Sequence, residues 1–545
     1  MHILTDDGNS GEYLIESLRL AAGNTFILFL GEFLYNLILA IGSFFIARIL
    51  GSEGYGAFSL ALVPPLSLVS LMSLGIDTAA TRYIQKFLAE KRRGYAVRVI
   101  KASLLLRLSI NLVGFALCFL LSTQMAQMFT NRAELGPYVK VTSIVALFQG
   151  LYSLFLAIFI GMNMAVGASI TKVVYSISKI VISISLLAIF GMGVMGALLG
   201  NIAGYAISLV AATAFLVILL RRSGNDEAGD VRGITVELLR YGIPLYISST
   251  VSIAVSIYQN LLLAYTLPLT DIGGYRAISN FSVLISVVSA PISASLLPLF
   301  TQFYARSQKL DELLDLLNRY TAFVLVPVTM AAMIFSRELI YLFYGSQYLF
   351  AYRYLPLLLA PNLLSGLGGV TVPALLNAVG DTKANMKASI ISSIVLVATS
   401  YILTIVLDLG LWGYLTSLLI SSIVGTIAAI QYAKRYVMRV VNVRESIGIY
   451  AASAVALVAV VPIFYIPIPR LVSLFRLAVG FTLFVLVYIA LSIYARIIGE
   501  ADIKFFVNAF SKFPLVNVVM DILARYAIAL TKLVNSSRRG RKNLQ

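Results

Sequence analysis

The sequence predicts an all-α, polytopic membrane protein of about fourteen transmembrane helices, arranged as two pseudo-symmetric six-helix bundles followed by two further helices. Three observations predict it. Of the 545 residues 60% are hydrophobic and only 12% charged, with a mean hydropathy of +0.93, more apolar surface than a soluble chain of this length can hide. Apolar runs recur from end to end, each long enough to cross a hydrocarbon slab of roughly 30 Å. The basic residues between the runs are distributed unevenly, segregating to alternate sides.

In chain order the spans are read at 24–47, 57–80, 99–122, 138–162, 168–190, 195–220, 242–267, 275–299, 319–336, 354–380, 387–407, 411–433, 446–466 and 472–495. Residues 1–22 carry Asp6, Asp7, Glu12 and Glu16, the wrong sign for the n-region of a cleavable signal. The first run is therefore read as a retained helix. With the N-terminus inside, about 31 of the 41 Lys and Arg fall on the cytoplasmic side or at span ends there and about 8 on the outer side, leaving only Arg107 and Lys179 deep within spans. Both termini are then cytoplasmic and the location is the cell membrane. The densest basic clusters run from Arg82 to Lys101, Arg221 to Arg240 and Lys434 to Arg444, and close the chain at Arg538-Arg539-Gly540-Arg541-Lys542. The formal charge of +17 is accordingly assigned to loops against anionic lipid, with no nucleic acid as partner. Residues 514–535 are apolar but carry Asn517, Asp521, Arg525 and Lys532 on one face, as a helix lying on the inner surface would.

The chain reads as duplicated. At an offset of 220, Gly54-Tyr55 meets Gly274-Tyr275, Ala57 meets Ala277, Ser59 meets Ser279 and Thr81 meets Thr301. At 217, Gly193 and Gly196 meet Gly410 and Gly413, and Ala211-Ala212 meets Ala428-Ala429. Loop order agrees: a Gly-Tyr turn after the first span of each half, a long charged inner segment after the second, and a Gly-x-x-Gly turn between the fifth and sixth. The expected organisation is an N-terminal half at 1–222, a second half repeating it at 223–435, two spans at 436–500, and a basic amphipathic tail at 501–545. Six spans per half give both halves one orientation, the plan of a transporter working by alternating access around a central cavity.

A charge in the middle of a span costs about 2.5–3.5 kcal/mol on insertion scales, so such residues face protein or water. Four spans carry polar stripes at helical spacing: Thr25, Glu32, Asn36 and Ser43; Ser103, Arg107, Asn111 and Cys118; Lys172, Ser176, Lys179 and Ser183; and Ser252, Ser256, Gln259 and Asn260. Arg276 and Asn280 on the eighth span and Asn201 on the sixth join them. The candidate substrate cavity comprises Arg107, Lys179, Asn36, Asn111, Gln259, Asn260 and Arg276, its cationic wall being Arg107, Lys179 and Arg276. Such a wall attracts phosphate, arginine as a fork and lysine as a point charge. Glu32, read as the only acid deep in a span, is the candidate for coupling to H⁺ or Na⁺. The alternative reading pairs Glu32 with Arg107 or Lys179 merely to neutralise a buried charge. The serines of these stripes more often hold helices together.

Other signals are discounted. Cys118 is the only cysteine and His2 the only histidine, which speaks against a disulfide framework, a zinc site or a Ser-His-Asp triad. No metal or cofactor is expected. Gly191-Met192-Gly193-Val194-Met195-Gly196 matches a dinucleotide fingerprint as a string but sits between two spans. Gly196, Gly200 and Gly204 read instead as a small-residue face for close helix packing. No Walker motif occurs. Pro64, Pro65, Pro244, Pro291, Pro298, Pro327 and Pro373 fall in or near spans, where they bend helices.

Two segments carry a resemblance. Ala47-Arg48-Ile49-Leu50-Gly51-Ser52-Glu53-Gly54-Tyr55-Gly56 resembles the A-R-x-L-G-x-x-x-Y-G signature of polysaccharide-biosynthesis (O-antigen-type) flippases, in the multidrug/oligosaccharidyl-lipid/polysaccharide exporter superfamily. Asn377-Ala378-Val379-Gly380-Asp381-Thr382-Lys383 is similar to that family's x-G-x-T-K inner turn after the tenth span. The resemblance covers roughly residues 15–500, agreeing with the span count, the duplication and the two extra helices. It implies a flippase moving a polyprenyl-diphosphate-linked oligosaccharide between leaflets through a cationic cavity, driven by ions or membrane potential, with membrane lipids, a glycan polymerase and glycosyltransferases as partners. The peptidoglycan-precursor branch carries adjacent Arg and Asp on its first span; their absence here argues against that substrate. The competing readings are a cation-coupled drug or metabolite exporter on the same scaffold and a membrane-embedded glycosyltransferase. The first calls for acidic cavity groups, and the second for carboxylates at a membrane face. The bases outnumber the acids here, and no Asp-x-Asp motif occurs.

Overall fold

The computed structural model describes residues 8–221, 231–306, 310–464, 472–499, 502–503 and 523–531, and among them the chain is helical without a strand. Asn517, Asp521, Lys532 and the Arg538–Lys542 run lie outside the described residues, as does the side chain of Thr25. Two compact units form, Met1–Val287 and Val288–Gln545. The first holds α1 (Gly8–Ala61), α2 (Val63–Leu71), α3 (Ile76–Ala89), α4 (Arg93–Leu120), α5 (Ser122–Thr130), α6 (Gly136–Gly161), α7 (Ala165–Ala188), α8 (Gly193–Arg221), α9 (Val231–Thr266) and the start of α10 (Leu269–Ala305). The second holds the end of α10, then α11 (Leu310–Ile334), α12 (Ser336–Tyr344), α13 (Leu355–Leu359), α14 (Thr371–Ala378), α15 (Thr382–Tyr401), α16 (Gly410–Ala433), α17 (Val443–Phe464) and α18 (Val472–Tyr494).

Among the described residues ten helices are long and apolar enough to cross a membrane, or up to twelve if each of two bent pairs is one span. The difference from fourteen lies partly in Phe26–Leu71, one run holding the first expected span and much of the second. The loop expected at 48–56 is helical. Only Gly51, at φ 72 and ψ 171, breaks the path of α1, in a conformation open to a residue without Cβ. The second expected span is itself interrupted. Leu74 and Gly75 take φ 48 and φ 69, and a new helix starts at Ile76 with Asp77 in its first turn, where an acid suits the helix dipole.

α4 shows what solvent this surface meets. Ser103, Arg107, Asn111 and Cys118 are buried, while Leu105, Leu112 and Leu120 are exposed. Polar groups turned in and leucines turned out suit a helix in hydrocarbon. Between α7 and α8 the small-residue face acts as its spacing predicts. A Cβ on Gly204 would lie 2.8 Å from Lys179, and one on Gly200 would strike Ser183.

Residues paired at the offset of 217 share backbone features. Asn163, Gly191 and Gly193 all have positive φ, and so do Gly380, Asp408 and Gly410, each 217 residues later. The turn bonds repeat too: Met192 N donates to Leu186 O as Leu409 N does to Leu403 O, both at 3.1 Å, and Gly196 N and Gly413 N donate to Met192 O and Leu409 O, both at 3.3 Å. The two Gly-Tyr segments meet as well. A Cβ on Gly56 would strike Leu269 O, and one on Gly273 would strike Ser52 O.

Candidate functional site: charged clusters in the first unit

The predicted residues fall into three groups. The first joins α1, α7 and α8. Lys172 Nζ pairs with Glu32 Oε2, and Asn36 Nδ2 donates to Glu32 Oε1 at 3.0 Å. Glu32 therefore takes Lys172 as its partner, neither Arg107 nor Lys179. The pair is open to its surroundings, the side chains being 46% and 22% exposed. One face further along α7 is Lys179, with Nζ 5.7 Å from the ring centre of Tyr175 and no carboxylate partner among the described residues. Tyr175 belongs to a tyrosine cluster that sequence reasoning missed. Its ring lies 4.4 Å from Tyr205, 5.3 Å from Tyr152 and 6.1 Å from Tyr35, and its hydroxyl donates to Asn201 Oδ1 at 2.9 Å. Aromatic faces of this kind stabilise an ammonium placed against them.

The second group lies on α9 and α10. Arg276 Nη2 donates to Asn260 Oδ1, Asn260 Nδ2 to Ser256 O at 2.8 Å, and Asn280 Nδ2 to Arg276 O at 3.3 Å. Arg276 Nε is buried without a hydrogen-bond acceptor. Gln259 is half-buried on the neighbouring position of α9.

The third group stands apart, on α4, α6 and the broken second span. Arg107 is 1% exposed; its Nε and Nη1 donate to Gly150 O and Met72 O, both at 3.3 Å, and Nη2 is 3.7 Å from Asp77 Oδ2. Asn111 Nδ2 donates to Leu147 O at 3.3 Å. Arg107 thus joins the end of α2 to α6, and Asn111 fastens α4 to α6. Met72 lies at the C-terminal end of α2, whose last carbonyls have no partner within the helix, and a cation suits that position. Asp77 is a second acid within an expected span, beside Glu32. The signal was available at residue 77, but without the break at Leu74-Gly75 it reads as a span end.

At the opposite end of this unit Arg132 closes α9. It donates from Nη1 to Ala264 O at 2.7 Å and from Nη2 to Leu267 O at 2.8 Å, satisfying the carbonyls a helix end leaves open.

Long apolar helices carrying paired and unpaired cations among tyrosines define a multi-pass membrane protein whose polar work is done inside its helical bundles. Residues 21–304, just over half of the chain, match the family described as polysaccharide biosynthesis protein, and the chain belongs to that family. Its fold is that of the multidrug/oligosaccharidyl-lipid/polysaccharide exporter superfamily. It is similar to the lipid II flippase MurJ in an inward closed conformation (TM-score 0.67, 15% identity, 87% of this chain and 98% of that one). It is also similar to an inward-facing multidrug resistance MATE family transporter of that superfamily (TM-score 0.63, 19% identity, 74% and 94%). In sequence it is 24% identical over 411 residues to the multidrug export protein MepA of Staphylococcus aureus strain bovine RF122, covering 71% of this chain and 86% of MepA.

Proposed function

We propose that the protein is a flippase that carries a polyprenyl-diphosphate-linked oligosaccharide from the inner to the outer leaflet of the cell membrane by alternating access, with both termini cytoplasmic and no covalent chemistry. The observation that carries this reading is Lys179, a cation within a span against the Tyr175 ring with no carboxylate partner among the described residues. A cation held this way awaits a mobile anion. Lys172 lies seven residues earlier, about 10 Å along the same face of α7. A diphosphate reaching Lys172 competes with Glu32, and the released carboxylate is then free to take H⁺ or Na⁺. That exchange links headgroup entry to ion uptake. Arg276, held by Asn260, offers a forked contact to a phosphate.

A second reading, export of an organic cation, is favoured by the likeness to MepA and by the half-exposed Glu32. The two are separated by binding in nanodiscs. Farnesyl diphosphate and a polyprenyl-diphosphate sugar should bind the wild type and bind at least tenfold more weakly to Lys179→Gln and Arg276→Gln. Absence of lipid-diphosphate binding, with organic-cation binding lost in Glu32→Gln, reverses the assignment.

A further inference from the structure

The second unit contains a cavity of a different chemistry. The helical path Leu355–Leu367 turns by 52° into α14, through Gly368 at φ +87 and Gly369. The break opens a space of about 500 Å³ between this turn, the end of α10, α11, α15 and α16, within the roughly 300–1,000 Å³ of small-molecule sites. No Asp, Glu, Lys or Arg lines it; the polar groups are seven hydroxyls and the amides of Asn362 and Asn385. Broken membrane helices are where transporters place ligands, because the freed backbone groups then face a cavity.

Six of the seven hydroxyls keep hydrogen-bonding capacity. Ser365 is 2% exposed and its Oγ has no hydrogen-bond partner, a cost the fold carries unless something else meets it. Ser389, Ser393 and Thr426 make no side-chain hydrogen bond among the described residues, so each can donate and accept. Ser392 and Ser422 spend their protons on Ser421 O and Leu418 O, at 2.9 and 2.8 Å, and keep lone pairs for an incoming donor. A wall of groups that both donate and accept, without net charge, matches a ligand of the same kind. Phosphate lacks a cation here, an organic cation lacks a carboxylate, and a divalent metal ion lacks the carboxylates that hold it. Sugar hydroxyls meet every requirement.

We propose that this cavity is a subsite for uncharged sugar units of the transported glycan, distinct from the cations of the first unit; its place in transport rests on the flippase reading above. Hydrogen bonding without aromatic stacking holds a sugar weakly, which suits a ligand that must leave.

The test uses the full chain in nanodiscs, with neutral trisaccharides of gluco, galacto, manno and N-acetylglucosamine type observed by saturation-transfer NMR, and farnesyl diphosphate measured in parallel. At least one trisaccharide should bind the wild type. Ser389→Ala combined with the near-isosteric Thr426→Val should weaken it fivefold or more, and Ser393→Phe, which fills the space, should abolish it. Farnesyl diphosphate binding should stay within twofold in all of these. If Ser393→Phe does not fold, the double variant still decides. No trisaccharide binding beside intact farnesyl diphosphate binding overturns the sugar subsite and leaves the flippase reading standing, as does binding indifferent to the variants. Sodium-22 retention lost in Thr426→Val, without sugar binding, assigns the cavity to an ion and overturns the proposal. Sugar binding without farnesyl diphosphate binding keeps the subsite and removes the flippase reading.

Discussion

Arg107 and Asp77 face each other at 3.7 Å across the break in the second span, and the arginine also holds the carbonyls of Met72 and Gly150. The two partners are not equivalent. Replacing Arg107 by Met strands the Asp77 carboxylate and the Met72 carbonyl, while Gly150 O keeps its bond within α6, at a cost of about 3 kcal/mol. Asp77→Asn leaves both carbonyl contacts in place. The thermal midpoint in nanodiscs should fall markedly in the first variant and little in the second; equal losses would mean that the ion pair alone holds the break.

Gly75 and Gly242 meet without side chains. A Cβ on Gly242 would lie 2.6 Å from Leu74 O, and one on Gly75 would strike Gly242 O while also straining φ +69. Gly242→Ala should cost about 1–3 kcal/mol and Gly75→Ala more, since it adds backbone strain to overpacking. Thermal unfolding of the two variants ranks them; the opposite order removes the backbone argument.

Asp381 supplies a pH dependence outside the spans. Its carboxylate accepts from the Tyr436 hydroxyl at 2.9 Å and from Ala384 N at 3.1 Å, and these bonds, in that order, hold its pKa below the ordinary 3.8. A depressed folded value means the contribution to stability is full above about pH 4 and disappears as pH falls through the folded value. Asp381→Asn keeps a good N-cap but cannot titrate. Midpoints measured from pH 7 to pH 3 should fall further for the wild type than for this variant, and parallel curves would remove Asp381 from the account.

In the water-lined cavity of the proposed function, the part-exposed Glu32–Lys172 pair contributes little to folding. Glu32→Gln should change stability by less than about 1 kcal/mol. On the coupling proposed above, it should also abolish the dependence of transport on an imposed pH or Na⁺ gradient. A gradient response that survives in a well-folded Glu32→Gln protein rules Glu32 out as the coupling group.

What could be read from sequence followed from periodicity. Apolar length and charge asymmetry mark the spans, and the offset of 217 marks turns whose backbone angles match at Gly193 and Gly410. Helix-wheel stripes singled out Glu32, Lys179 and Arg276 as residues needing a partner. They could not say which partner, because that depends on how helices neighbour one another. Lys172 and Glu32 are 140 residues apart, and nothing local couples them. The break at Leu74-Gly75 escaped because a single glycine in an apolar run is an ordinary packing feature until its φ is known. Arg107 was read as facing a cavity for the same reason: its acid and its carbonyl acceptors lie on other elements. The hydroxyl cavity of the second unit was invisible because its serines come from segments with no charge to draw notice.

The meeting of Gly56 with Leu269 and Gly273 sets two Gly-Tyr segments backbone to backbone, with no room for a Cβ on either. Glycine on both sides lets the carbonyls of Leu269 and Ser52 lie against the opposite backbone. A side chain gained on either segment would force the other to retreat, so the two are bound to change in step.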